Sequence, residues 1–288
     1  MKNELKLYSW LLVLAMLFWG GGWTALKILT NNASMEVIVF WRFFLMSLAF
    51  LPILYFFKEP IRISKNSIGF ILGSSIFNIA FMVSSYYGIS YGLAGAGSVI
   101  ITSLAPIMTF IITLILFKHS TTKMQFFGLF LGLVGAAIML ELNDFTLFTH
   151  KANLFFILCA TIWAGVTILS QHSHKYIHPI HYSFFISLVA TISAFFYGFH
   201  ANLLAVFSQK WEFWVALVYL AVFGQTVATT IFFMASGKLG SQKTSSFMFL
   251  VPIFALFTAW LVLDEALQIH IIIGGLLSML AVFFINKK

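Results

Sequence analysis

The sequence predicts an all-α membrane protein of ten transmembrane helices, arranged as two inverted five-helix repeats. Three observations carry this. The 288-residue chain is 61% hydrophobic and only 8% charged, with a mean hydropathy of +1.01, whereas soluble domains carry about 25% charge. Its apolar residues fall into ten long runs separated by short polar gaps. One of those runs recurs: Leu93–Phe117 and Leu239–Leu263 both open on small residues, and Pro106 and Pro252 stand at matching depth, 146 positions apart in a chain of 288.

The first half predicts spans near Leu7–Leu29, Met35–Phe57, Ile68–Ser90, Leu93–Phe117 and Met124–Leu142. The second predicts Ala152–Gln171, Ile180–His200, Phe213–Ala235, Leu239–Leu263 and His270–Ile285. These lengths lie near the roughly 20 residues that a helix needs to cross a bilayer. Barrel strands would alternate apolar and polar residues, and these runs do not. The first run is too long for a signal-peptide core and is followed by more spans, so it reads as retained.

The repeat extends past the two prolines. Phe18-Trp19-Gly20-Gly21 is matched by Ile162-Trp163-Ala164-Gly165, and Gly128 and Gly274 again fall 146 apart, each in the last span of its half. The halves are thus 1–145 and 146–288. Five spans per half is an odd number, so the second half enters the membrane in the opposite orientation. Paired, proline-interrupted apolar segments in matching halves point to the central pathway of a transporter. Proline is also simply common in membrane helices, but the agreement in length, depth and flanks favours the repeat.

Lys and Arg set the orientation. With the N-terminus inside, the inner segments hold Lys2, Lys6, Lys58, Arg62, Lys65, Lys118, Lys123, Lys175, Lys238, Lys287 and Lys288. The outer gaps hold only Lys151 and Lys210, against Glu141, Asp144, Glu212, Asp264 and Glu265. Both termini are therefore expected in the cytoplasm. The formal charge of +8 is spread singly rather than as a patch, which argues against nucleic acid. The lone Cys159 excludes an intramolecular disulfide and a four-cysteine metal site. His172, His174, His178 and His181 crowd one inner loop, but no Cys or acid joins them, and no metal site is assigned. No Walker loop, catalytic triad or nucleotide-binding fingerprint is present, so no cofactor and no ATP-driven step is implied.

Taken in order, these features resemble the EamA-type ten-helix permeases of the drug/metabolite transporter superfamily, over essentially all 288 residues. The first-helix pattern is matched by Leu17-Phe18-Trp19-Gly20-Gly21-Gly22-Trp23, the second-helix arginine by Arg42, and the small-residue helices with a central proline by Gly95–Pro106 and Gly240–Pro252. The glycine-rich closing helices are matched by Phe127–Ala137 and Ile273–Leu277, and an acidic residue after the ninth helix by Glu265. The first half carries His119 at the corresponding place, a departure from equal halves. The resemblance implies a secondary carrier in a bacterial inner membrane, an exporter of amino acids, metabolites or toxic compounds. The competing class is a membrane-embedded enzyme or scaffold. It would need clustered reactive groups or a soluble domain, and the sequence has neither.

Several polar residues lie within the apolar runs. Arg42 is the sharpest. A cation in hydrocarbon costs about 2.5–3.5 kcal/mol on insertion scales, and no acid stands three or four residues away to offset it. It is expected to face the bundle interior, either to grip a substrate carboxylate or to anchor the fold. Lys27 stands near the outer end of the first span and Lys243 near the inner end of the ninth; Lys27 is read as a pathway residue and Lys243 as a substrate or gate residue, or each as an anchor that snorkels to its surface. Trp19 and Trp23 share a face and form an aromatic wall or a packing seam beside Gly20, Gly21 and Gly22. Asn78 and Gln225 occupy corresponding third and eighth spans and are read as pathway or as interhelical glue. Ser98 and Thr102 face the same pathway or bond back to their own helix. Pro106 and Pro252 are the expected kink or gate. The partners implied are a lipid bilayer and a small organic solute carrying a carboxylate, with coupled protons an open option and no carboxyl at midspan to carry them.

Overall fold

The computed structural model describes residues 2–57, 60–61, 63–92, 94–118, 121–141, 150–264 and 269–287. His119, Lys58, Arg62, Asp144 and Glu265 lie outside these residues. The described chain is helical throughout: α1 (Lys2–Thr30), α2 (Met35–Phe57), α3 (Lys65–Tyr91), α4 (Ala94–Phe117), α5 (Lys123–Met139), α6 (Lys151–Ser173) and α7 (Pro179–Tyr197). A 3₁₀ turn (Leu203–Ser208) leads to α8 (Trp211–Leu239), followed by α9 (Ser241–Val262) and α10 (Ile269–Asn286). In lipid no water is present to satisfy free backbone groups, so apolar runs of this length close their hydrogen bonds internally as helices.

Eight of these helices, α1–α4 and α6–α9, are long and apolar enough to cross a membrane, among the described residues; α5 and α10 are shorter apolar helices. The helix starts follow local chemistry. Ser64 Oγ accepts from Ser67 N at 3.1 Å to cap α3. Thr122 and Gln125 form a reciprocal capping box at α5, at 2.9 and 3.2 Å. Pro179 opens α7, where its missing N–H costs nothing. The α8–α9 junction is a single residue, Gly240, at φ +87°, a conformation that only glycine adopts without strain.

Two of the expected spans are not uniform helices. The α8 run passes through a π-helical segment, Leu220–Val227, before resuming α-helix at Ala228. The α9 run starts with Ser241–Ser246, tightens into a 3₁₀ turn at Phe247–Leu250 and becomes α-helical again at Val251. This separates the two prolines. Pro106 lies within the continuous helix α4, whereas Pro252 sits in the first turn of a resumed α-helix, where a proline is tolerated. The two prolines thus stand in different helical settings.

The packing is symmetric under exchange of the halves. Helix α1 packs on α8 and α9, and α6 packs on α3 and α4; α2 packs on α7, and α5 on α10. Replacing each helix by the one five places along exchanges α1–α8 with α6–α3 and α1–α9 with α6–α4, and maps α2–α7 and α5–α10 onto themselves. Glycines set the closest crossings. A Cβ on Gly128 would lie 2.9 Å from the Ala281 carbonyl oxygen, and one on Gly274 would lie 2.5 Å from that of Gly135. The α5–α10 seam therefore has backbone against backbone.

The repeated helices α4 and α9 are central along only part of their length. Gly97–Ser103 and Thr244–Pro252 are buried without a break, whereas Leu114–Phe117 and Trp260–Val262 are exposed. The small residues at the start of each run are what allow that half to enter the middle of the bundle. The large apolar residues that follow face outward.

Candidate functional site

The central cavity begins at α1. Its three consecutive glycines do different work on three faces. A Cβ on Gly20 would lie 2.5 Å from Phe254 Cβ and 2.7 Å from the backbone nitrogen of Ala255, so Gly20 fixes a close crossing with α9. Gly21 faces the Tyr219 ring of α8, where a Cβ would clash, and Gly22 has nothing nearer than Leu220 Cδ2 at 3.7 Å. Gly22 opens into a cavity of about 110 Å³ that α1, α2, α3, α4, α6, α8 and α9 all line. That volume holds several waters or a small organic molecule.

The walls are aromatic and thioether side chains. Trp19 meets Trp163 edge to face at 5.3 Å and Phe232 at 5.0 Å, and Phe81 lies 5.3 Å from Trp163. Trp23, Met82 and Met248 also line the cavity, with aliphatic side chains such as Ile38 and Leu220 between them. Trp19 and Trp163 are the two tryptophans of the repeated sequence motif, and the fold places them in contact. The Trp19 indole N–H donates to the Gly224 carbonyl oxygen at 2.9 Å, within the π-helical segment. Wider i→i+5 turns re-aim carbonyls and side chains and are frequent at functional sites. Trp163 is 7% exposed, and its buried indole nitrogen has no hydrogen-bond partner among the described residues.

Arg42 is the one charged residue lining the cavity, among the described residues. It faces Gln225 on the π-helical segment. A guanidinium only donates, which orients the amide: the Gln225 carbonyl oxygen accepts from Arg42 Nε at 3.0 Å and from Nη2, and the amide NH₂ donates to Thr229 Oγ1 at 3.3 Å. Gln225 thus engages two of the five guanidinium N–H groups. Glu36, the nearest acid along the chain, lies instead against Gly198 at the end of α7.

Of the residues singled out from the sequence, the fold brings Trp19, Trp23, Arg42, Thr102 and Gln225 into one cavity. Thr102 Oγ1 donates to the Ser98 carbonyl at 2.7 Å, so its proton is held by its own helix, and Ser98 is buried one turn away. Asn78 is elsewhere. Its Nδ2 donates to the Ser74 carbonyl at 2.9 Å, and Ser74 Oγ bonds to the Tyr182 hydroxyl. It does not share a site with Gln225. Lys27 is exposed near the end of α1, and Lys243 is half-buried at the start of α9. Neither lines the cavity, and nor do Pro106 and Pro252. Trp163 is the lining residue that a search for polar groups in apolar runs passes over; its signal was its match to Trp19. Among the described residues no group of three His, Cys, Asp or Glu is placed to hold a metal.

Polar contacts cross the bundle end that holds both termini. Gln242 Nε2 donates to Thr113 Oγ1 at 2.7 Å across α9 and α4, and Ser241 N donates to Gln171 Oε1 at 2.8 Å across α9 and α6. Asn286 Nδ2 donates to Ser246 Oγ at 2.9 Å, and Ser170 and Ser236 hydroxyls meet at 2.6 Å. Lys238 Nζ pairs with Glu4 Oε1 at 2.9 Å. At the other end the lining reaches Leu26 and Met35, on either side of the α1–α2 turn.

The pattern of the EamA-like transporter family matches this chain twice, at residues 6–141 and 150–287. The chain is 24% identical over 276 residues to "Uncharacterized transporter YoaV" of Bacillus subtilis, covering 93% of this chain and 92% of that one. It is 23% identical over 287 residues to "Uncharacterized transporter YyaM" of the same organism, covering 97% and 93%. A solved crystal structure superposes with a TM-score of 0.76 at 12% identity, over 97% of this chain and 98% of that one, a likeness of fold.

Proposed function

Because the chain belongs to the EamA-like transporter family, we propose that its cargo is a small organic solute bearing a carboxylate or similarly negative group, carried by alternating access through the cavity around Arg42. Membership makes the protein a multi-pass membrane transporter of small molecules and not an enzyme. The narrower reading rests on one observation: Arg42 is the charged group of the cavity, and the side chain it meets there is a neutral amide. A guanidinium in a low-dielectric site attracts a carboxylate strongly and holds it in a planar fork. Amino acids and related metabolites fall in that class, and a purely cationic compound is disfavoured.

The same reading gives ten crossings in two inverted halves, with both termini on the cytoplasmic side of a bacterial inner membrane and transport directed outward. The double family match and the exchange-symmetric packing support the two halves. The lysine-rich inner segments support the orientation. With the polar contacts at the terminal end closed and the lining reaching Leu26 and Met35, the conformation is read as facing outward. No carboxyl lines the cavity among the described residues, so the proposal contains no proton-transfer step. The test is flux into proteoliposomes holding the purified protein. Saturable uptake that small carboxylates compete and small amines do not is the expected result; uptake indifferent to carboxylates contradicts it.

A further inference from the structure

Beside the central cavity lies a smaller one of about 40 Å³, walled by α2, α3 and α7. Helices α2 and α3 each pack on α7 but not closely on each other, among the described residues, and the side cavity occupies the space this leaves. Small residues on α7 make the room: Ala190 and Ala194 stand one turn apart on its wall, and both are buried. No charged residue lines it among the described residues. Its polar groups, on Tyr86, Ser193 and Tyr197, belong to the last two turns of α3 and α7.

The two cavities share a wall made of Met35, Val39 and Met82. Met35, Val39 and Arg42 fall at i, i+4 and i+7 of α2, which is one stripe of the helix. Seven residues of helix cover about 10 Å, so the stripe runs from the charge to the shared wall within the reach of a small molecule. Two of the three wall residues are methionines, whose flexible thioether chains adapt to an apolar group passing between them. We propose that the side cavity is the specificity pocket of this carrier. A solute held at Arg42 by its carboxylate runs its apolar tail along α2, past Met35, Val39 and Met82, into the space between α2, α3 and α7. This rests on the carboxylate reading of Arg42 and extends it to the tail. The solute class is a carboxylate with a slender apolar chain, and each CH₂ fully removed from water tightens binding about fourfold.

The test is isothermal titration of the full-length protein in nanodiscs with butanoate, hexanoate, octanoate and the neutral octanamide, corrected for uptake by empty nanodiscs of the same lipid. Octanoate should bind at least about tenfold tighter than butanoate, with hexanoate between them. Val83 and Ala194 line the side cavity and not the central one, so Val83→Phe and Ala194→Leu place bulk in the tail pocket alone. Each should weaken octanoate at least about fivefold and leave butanoate within about twofold. A flat series in the wild type overturns the inference, leaves the carboxylate reading intact and needs no variant. Octanoate binding unchanged in the folded variants, or butanoate weakened as much as octanoate, also overturns it. Octanamide binding as tight as octanoate overturns the carboxylate reading, and the inference with it.

Discussion

Arg42 of α2 and Gln225 of α8 face each other across the central cavity, with the Gln225 carbonyl oxygen accepting from Arg42 Nε at 3.0 Å. The pair joins the two halves of the chain, and its glutamine stands on the π-helical segment rather than on regular helix. Gln225 positions the guanidinium without cancelling its charge. Gln225→Glu would cancel it. This variant should express normally and lose at least about tenfold in apparent solute affinity, in line with 1.5–3 kcal/mol for a hydrogen bond to a charged group. Gln225→Ala should lose less, because the charge remains available. Equal affinity in wild type and Gln225→Glu would contradict this role.

The glycines of α1 should differ in their tolerance of a methyl group. Gly20→Ala places a Cβ 2.7 Å from the Ala255 backbone nitrogen, which cannot yield as a flexible side chain can. It should destabilise by about 1–3 kcal/mol, the usual range for overpacking. Gly22→Ala meets nothing within 3.7 Å and should be tolerated. Thermal melts of both variants in detergent decide this, and equal melting temperatures would count against it.

Gln242 should hold the terminal end of the bundle closed through Thr113. Removing one neutral hydrogen bond costs about 1 kcal/mol, roughly fivefold in an opening equilibrium. In a Cys159→Ala background, a cysteine at the buried Ser245 should react about fivefold faster with a permeant maleimide when Gln242→Ala is added. An unchanged rate would remove Gln242 from the closure.

The Glu4–Lys238 pair has a defined pH signature. The hydrogen bond from Lys238, and then its charge, holds the Glu4 carboxyl below its ordinary value of 4.5. A depressed folded-state value means the contribution is present above 4.5 and is lost as pH falls through the lowered value. The pair is exposed, with side chains 49% and 47% accessible, so the effect is small and screened by salt. Melting temperatures of wild type and Glu4→Gln should converge as pH drops well below 4.5; a gap that persists there would show that Glu4 acts otherwise.

Topology is checked by labelling from outside the cell. A cysteine at Asp144 or Gln209 should react with an impermeant reagent, and one at Lys65 or Lys287 should not. The reverse pattern would invert the orientation.

Much of the fold was legible because hydrocarbon imposes long apolar helices, and the repeat left its mark in Pro106 and Pro252, in Trp19 and Trp163, and in Gly128 and Gly274. Arg42 and Gln225 were legible as polar groups too costly to leave in lipid. Asn78 has the same cost but satisfies it on its own helix, through the Ser74 carbonyl, a choice that residue type alone does not reveal. The π-helical turn was not legible: the contacts made there, such as Trp19 to the Gly224 carbonyl and Tyr219 to the Phe18 carbonyl, join residues some 200 positions apart and leave no local signal. Nor was the different setting of the two prolines, which depends on the 3₁₀ turn at Phe247–Leu250 and not on either proline.

The most direct test of the carboxylate reading is the apparent affinity of Arg42 variants for a small carboxylate in proteoliposome flux. Arg42→Lys keeps the charge and loses the planar fork, and Arg42→Ala loses both. Folded Arg42→Lys protein should bind more weakly than wild type, and folded Arg42→Ala more weakly still. Unchanged affinity in well-folded Arg42→Ala protein would contradict the account.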